Sequence, residues 1–261
     1  MGAAPPEHGK RRAPLTVTEV GDEGAPLVVL VHGALDRARS LRRVVERLPD
    51  LRVATYDRRG YGASVAAGPP TRMGDHVEDL IEVLGGRRAT VVGHSVGGHV
   101  GILASIARPD LVASLGLWEP PTPWMDFWPE RAKRSVAHIV GNRVPGEVGE
   151  RGARMMLGDD AWERLPDEAR ELRRAEGRAF LVDAGAEEDA LYDWADVRVP
   201  CLIGYGERTW PWTLDSSRRA AAAIGCDTFV IAGSTHLGNV SHPGDFAEFV
   251  RQAVALGKLG K

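Results

Sequence analysis

Ser95 stands between two glycines at the end of an apolar run, Val91-Val92-Gly93-His94-Ser95-Val96-Gly97-Gly98. Serine and glycine both weaken the interior of a strand or helix, so local stability does not explain them there. A raised hydroxyl on a tight turn does. Flanking glycines let the backbone pack where a side chain would collide, and the exposed oxygen can attack an electrophilic carbon once a base takes its proton. A helix starting just after the serine would add free N–H groups that favour developing negative charge. The five-residue G-x-S-x-G pattern is common by itself, so it carries weight only with a strand before it and a helix after it.

The flanking sequence supplies both. Ala89–Val92 reads as a strand and Gly97–Ala107 as a helix stopped by Pro109. Upstream, Leu27–Val31 is a continuous apolar, β-branched run of the kind buried on both faces of a parallel sheet. Residues 38–48 read as a helix and Leu51–Tyr56 as a strand. Asp75–Leu84 reads as a helix with Val77, Leu80, Ile81 and Leu84 on one face. Val112–Trp118 is a further strand. The rhythm breaks from Pro120 to Asp196, a stretch rich in Arg and Glu that reads as short helices. It resumes with a strand at Val199–Tyr205, a helix around 214–224, a strand at Thr228–Ile231 and a last helix around 244–256. Alternation of this kind predicts an α/β fold with a mostly parallel central sheet and helices on both faces.

Composition narrows the function classes. The chain has 261 residues, 43% hydrophobic and 26% charged, with a net charge of −3 and a pI near 6.3. That balance suits one soluble domain and gives no basic face for nucleic acid or anionic lipid. Lys10-Arg11-Arg12 lies in residues 1–14, which read as a flexible, solvated tail without the apolar centre of a secretory signal. No apolar run reaches the ~18 residues of a membrane span. Two cysteines, Cys201 and Cys226, make no disulfide framework, so free thiols in the cytoplasm are expected. No histidine pair has zinc-ligand spacing, and no strand is followed by a G-x-G-x-x-G or Walker loop, so neither a metal nor another cofactor is expected.

With these motifs in order, the chain resembles the α/β-hydrolase fold family over nearly its whole length. His32-Gly33-Ala34 after the first apolar run looks like the family's oxyanion loop. Asp57-Arg58-Arg59-Gly60-Tyr61-Gly62-Ala63-Ser64 looks like its D-x-R-G-x-G-x-S turn. Ser234-Thr235-His236, followed by His242-Pro243 and Phe246, resembles the segment bearing the catalytic histidine. The resemblance implies Ser95 as nucleophile, His236 as general base, and the N–H groups of Ala34 and Val96 as oxyanion hole. It also implies a helical cap at 120–196 inserted into a core of residues 15–119 and 197–261. Of the other histidines, His94 is expected to point away from the nucleophile and pack or hold a loop, His32 to hold its loop, His99 to lie in the core or at the surface, and His242 to cap the last helix. His8, His76 and His138 have no motif around them.

The triad acid departs from the family pattern. The usual G-x-x-D turn reads Gly206-Glu207-Arg208-Thr209, and threonine carries no charge. Either catalysis is lost or the acid comes from elsewhere. Glu119 ends the strand after the elbow helix, 24 residues after Ser95. That placement is similar to the branches containing haloalkane dehalogenases and zearalenone lactonases. Glu119 is the expected acid, with Glu207 and Asp215 as the other candidates. Those dehalogenases, like epoxide hydrolases, attack with an aspartate. A serine instead makes an acyl-enzyme, so the expected substrate is a carboxylic ester or lactone. Carbon–carbon bond hydrolysis, perhydrolysis, or ligand sensing without turnover are the alternatives.

Aromatics gather around the expected pocket. Trp118, Trp124, Phe127 and Trp128 lie where the sheet passes into the cap, and Trp210-Pro211-Trp212 follows the altered turn. Together with Leu35 and Leu237 they suggest a site for a hydrophobic small molecule, although aromatics also glue cap to core. Met155 and Met156 are expected in the core of the cap, with lining of the pocket as the alternative. Its charges, Glu168, Arg170, Glu171, Arg173, Arg174 and Glu176, are expected on a solvated face. The chain is expected to act as a monomer or homodimer.

Overall fold

A computed structural model describes residues 13–186 and 190–259. The expectation for the N-terminal tail therefore falls almost wholly outside the described residues. Seven strands form one sheet in the order β1-β3-β2-β4-β5-β6-β7. They are β1 (Val17–Val20), β2 (Leu27–Val31), β3 (Arg52–Tyr56), β4 (Ala89–His94), β5 (Val112–Trp118), β6 (Cys201–Gly206) and β7 (Asp227–Ile231). Only β1 runs antiparallel, along the outer edge of β3. All other neighbours are parallel, which gives the predicted α/β architecture.

Period-two alternation decides which helix each strand face meets. In β2, Val29 and Val31 face one core with Val77 and Leu80 of α2 (Met73–Leu84) and Val100 of α3 (Val96–Ala107). Val28 and Leu30 face the other. There they meet Val44 of α1 (Arg42–Val45) and, further along the chain, Phe246, Phe249 and Val250 of the last helix. Residues 38–48, expected as one helix, form a 3₁₀ turn at Ala38–Leu41 followed by the single turn α1.

Between β5 and β6 the described residues form five α-helices, α4 (Glu130–Val140), α5 (Pro145–Leu157), α6 (Asp159–Glu163), α7 (Asp167–Ala175) and α8 (Gly177–Ala186), and a 3₁₀ turn at Trp194–Asp196. They carry a small core of their own, with Ile139, Val148 and Phe180 packed around Leu35 from the loop after β2. After β6 come α9 (Pro211–Ile224), β7, α10 (Gly238–Ser241) and α11 (Pro243–Leu259). The chain leaves β2 for β3 on one side and returns to β4 on the other. This reversal opens a crevice at the carboxyl ends of the strands, where ligands of open parallel sheets bind.

Two expectations about the inserted helices change. Glu176 is not on a solvated face: its side chain is 1% exposed and sits 2.7 Å from Arg37 Nη2. It also accepts from the Gly62 N–H at 2.9 Å. Met155 and Met156 lie outside the cap core, exposed at 57% and 42%. A buried Arg58–Asp183 pair at 2.6 Å adds a second tie, from the turn after β3 to α8. The Tyr61 hydroxyl donates to the same carboxylate at 2.6 Å.

Candidate active site

Ser95 occupies the turn between β4 and α3 with φ 54° and ψ −126°, in a region that side chains seldom enter. The glycines around it are obligatory. A Cβ on Gly93 would fall 2.3 Å from Gly97 O, and one on Gly97 would fall 2.4 Å from Val31 O. Val96 opens α3, so its N–H has no partner within the helix.

The loop after β2 lies against this turn, since a Cβ on Gly33 would meet Ser95 Cβ at 3.1 Å. His32 fixes that loop as expected, and the two contacts define its tautomer. Nε2 accepts the Arg58 N–H at 2.8 Å, so Nδ1 carries the proton that Gly33 O accepts at 2.7 Å. The Arg58 guanidinium donates to His32 O and Gly33 O, each at 3.1 Å. The D-x-R-G turn therefore braces the loop that carries Ala34.

Glu119 follows β5 with φ 48° and its side chain fully buried. Its Oε2 lies 2.7 Å from His236 Nδ1. The same oxygen accepts the Thr209 hydroxyl at 2.7 Å, and Oε1 accepts the Gly206 N–H at 2.7 Å. Thr209, the residue that breaks the family pattern, thus donates to the Glu119 carboxylate. Nothing in the sequence pointed to that partnership. The other acid candidates lie elsewhere: Glu207 accepts the Gly233 N–H at 2.8 Å, and Asp215 is exposed on α9.

The carbonyl of His236 has two donors, Trp118 Nε1 at 2.9 Å and His94 Nε2 at 3.0 Å. His94 therefore holds the histidine loop. Burial, with His236 as a second contribution, pushes its pKa down to about 3, so it stays neutral beside the His236 ring, 4.7 Å away between centroids. Trp118 is a correction. It is buried against Phe246 and Phe249, behind the site rather than in it. The remaining histidines have plain surroundings. His99 is buried with Nδ1 2.8 Å from the Tyr192 hydroxyl, and His76 is buried beside Asp183. His242 stands just before α11 with its carbonyl accepting the Phe246 N–H at 2.9 Å and its side chain 2.8 Å from Ser241 Oγ, and His138 is exposed. His8 lies outside the described residues.

One cavity of about 1520 Å³ joins these groups, lined by Ala34, Leu35, Ser95, Val96, Glu119, His236 and Leu237. Trp124, Trp128, Trp210, Trp212, Met155 and Met156 contribute to its apolar wall. Phe127 does not belong to that wall; its ring lies under the Arg219 guanidinium at 4.7 Å. Among the described residues, all four non-glycine positions with positive φ (Leu35, Ser95, Glu119 and Arg143) border this cavity. Backbone strain concentrated at one place marks a functional site. Among the described residues no cluster of three or more His, Cys, Asp or Glu side chains could hold a metal. No helix there is long and apolar enough to cross a membrane.

Comparison with known proteins places the fold in a family. Residues 28–249 match the family model described as the alpha/beta hydrolase family. Lipase LipV of Mycobacterium tuberculosis is 37% identical over 191 residues, which cover 72% of this chain and 59% of that protein. Epoxide hydrolase A of the same organism is 35% identical over 129 residues, covering 46% of this chain and 40% of its own length. The chain thus spans about three-fifths or less of these relatives. An enol-lactonase from Burkholderia xenovorans superposes with a TM-score of 0.69 at 21% identity, covering 92% of this chain and 96% of that one, a likeness of fold. With its sheet, its strained serine turn and this match across most of its length, the chain belongs to the alpha/beta hydrolase family.

Proposed function

We propose that the protein is a serine hydrolase that cleaves a carboxylic ester or lactone of a hydrophobic small molecule through an acyl-enzyme. The observation that carries the reading is the fully buried Glu119 carboxylate, 2.7 Å from His236 Nδ1. A carboxylate there fixes the Nδ1–H tautomer and leaves Nε2 free to take a proton. Ser95 Oγ attacks the substrate carbonyl as its proton passes to His236 Nε2. The oxyanion then draws on the N–H groups of Ala34 and Val96, each worth roughly 3–4 kcal/mol in the transition state. His236 returns the proton to the departing alcohol oxygen, and a water activated by the same ring releases the acid. Residues 120–196 act as the cap that shapes the pocket, over a core of 15–119 and 197–261.

The relatives' names span a lipase and an epoxide hydrolase. Ser95 favours the acyl chemistry of the first, since opening an epoxide with serine would leave an ether that water does not cleave. Ligand sensing without turnover rests on the missing aspartate at position 209, and the Glu119–His236 contact favours turnover instead. The test is hydrolysis of p-nitrophenyl butyrate, with fluorophosphonate labelling of the folded protein. Wild type should turn over and label at Ser95, and Ser95→Ala should do neither. A wild type no faster than Ser95→Ala would sink the proposal.

A further inference from the structure

The cavity wall is electrostatically lopsided. Its carboxylates already have protein partners. Asp36 accepts the Ser40 hydroxyl at 2.7 Å and the Arg37 N–H at 2.8 Å. Glu119 is held as described, and Asp183 is paired with Arg58. Among the cations of the same wall, Lys133 lies 3.1 Å from Glu130, while two others are less committed. Arg131 and Arg208 both line the cavity, and neither has a carboxylate partner among the described residues.

Arg131 is nevertheless held in place. Its guanidinium carbon sits 4.8 Å from the centroid of the Trp212 ring. Trp212 is parallel to Trp210, with 7° between planes and 5.9 Å between centroids. Trp210 lies in turn 5.7 Å from the His236 ring and keeps 53% of its surface exposed. An unbroken aromatic shelf therefore runs from the candidate base to an unpaired cation. A guanidinium braced on indole loses little freedom when it binds, and its planar fork matches a carboxylate.

We propose that this wall is an anion-receiving subsite: the ligand's flat apolar body lies along Trp210 and Trp212, and a carboxylate at its far end pairs with Arg131. Arg208, two residues before Trp210, adds a second positive charge to the same cavity. The substrate class narrows accordingly to hydrophobic esters or lactones that carry a separate acid group. This rests on the hydrolase reading only for the reacting end; the subsite itself is a matter of binding.

The experiment separates the two. Binding of 4-phenylbutyrate and of its uncharged amide, 4-phenylbutyramide, is measured by tryptophan fluorescence on Ser95→Ala, with and without Arg131→Gln or Arg131→Lys. The carboxylate should bind about fivefold more tightly than the amide, the size of one partly exposed charge pair, with the gap shrinking as salt rises. Arg131→Gln should erase the gap, and Arg131→Lys should keep most of it. Equal binding of acid and amide, binding of neither, or a gap untouched by Arg131→Gln would overturn the subsite. Ester hydrolysis is assayed in parallel on wild type. A carboxylate preference in a protein that hydrolyses no ester would keep the subsite and remove the hydrolase reading. Ester turnover without the preference would do the reverse.

Discussion

Moving the acid back to position 209 tests how Glu119 works. Three donors point at the Glu119 carboxylate: the Gly206 N–H, the Thr209 hydroxyl and His236 Nδ1, each at 2.7 Å. In Glu119→Gln, the amide oxygen must face the fixed Gly206 N–H, which turns the NH₂ group towards His236. A donor then faces a donor. His236 relieves the conflict by moving its proton to Nε2, the nitrogen that has to accept from Ser95. The wrong tautomer costs about 10⁴ in kcat, roughly 5.5 kcal/mol of transition-state stabilisation, in the serine-protease template. Adding Thr209→Asp to that variant returns a carboxylate to the spot where a hydroxyl oxygen stood, within reach of the same imidazole. The double variant should regain about a hundredfold in kcat/KM on p-nitrophenyl butyrate. Thr209→Asp alone should suffer, because two buried carboxylates in contact must share a proton, and one then titrates well above the usual range. All variants are checked for unchanged melting temperature. The reasoning fails if Glu119→Gln stays within tenfold of wild type, or if the folded double variant is no faster than Glu119→Gln.

Three further outcomes follow from buried charges and from backbone strain. Burial lowers His94 to about 3 and His99 to about 4, so the unfolded chain, titrating near 6.5, binds more protons below that pH. Stability is then full above neutrality and falls as pH drops through 6.5, by on the order of 3 kcal/mol between pH 7.5 and 5.5; a flat urea-unfolding profile across that window would count against it. Asp183→Asn leaves Arg58 charged and buried without its partner and should cost about 3–5 kcal/mol in urea unfolding, with a loss under 1 kcal/mol contradicting the picture. Ser95→Gly relieves a backbone at φ 54° and should stabilise the fold by about 1 kcal/mol while abolishing turnover; a lower melting temperature would argue that the turn is unstrained.

The site was legible where local sequence dictates geometry. Glycines at 93 and 97 are required by contacts of 2.3–2.4 Å, and that constraint is written as a five-residue pattern. Glu119 could be picked out because it ends a strand beside the nucleophile strand, on the same edge of the sheet. What escaped depends on partners far along the chain. Glu176 meets Arg37 across 139 residues, so it looked like one more charge on a solvated face, and Asp183 meets Arg58 across 125 residues, a pairing that no local pattern announces. β1 escaped for the opposite reason: as a short, largely exposed edge strand it has no apolar alternation to detect. Trp118 was misplaced because an indole before a pocket and an indole behind one read alike; only its bond to the His236 carbonyl tells them apart.

The two buried ties between the loops after β2 and β3 and the inserted helices bear on how such a protein can be re-engineered. Arg58 reaches Asp183 in α8 while bracing the loop that carries Ala34, and Arg37 near the same loop reaches Glu176. A transplanted 120–196 segment from a relative would have to bring carboxylates to both arginines. Without them, the stranded charges would disturb the loop at the reaction centre as well as the fold. Swapping that segment to change what is bound would therefore also change how well the serine works, unless Arg37 and Arg58 are exchanged along with it.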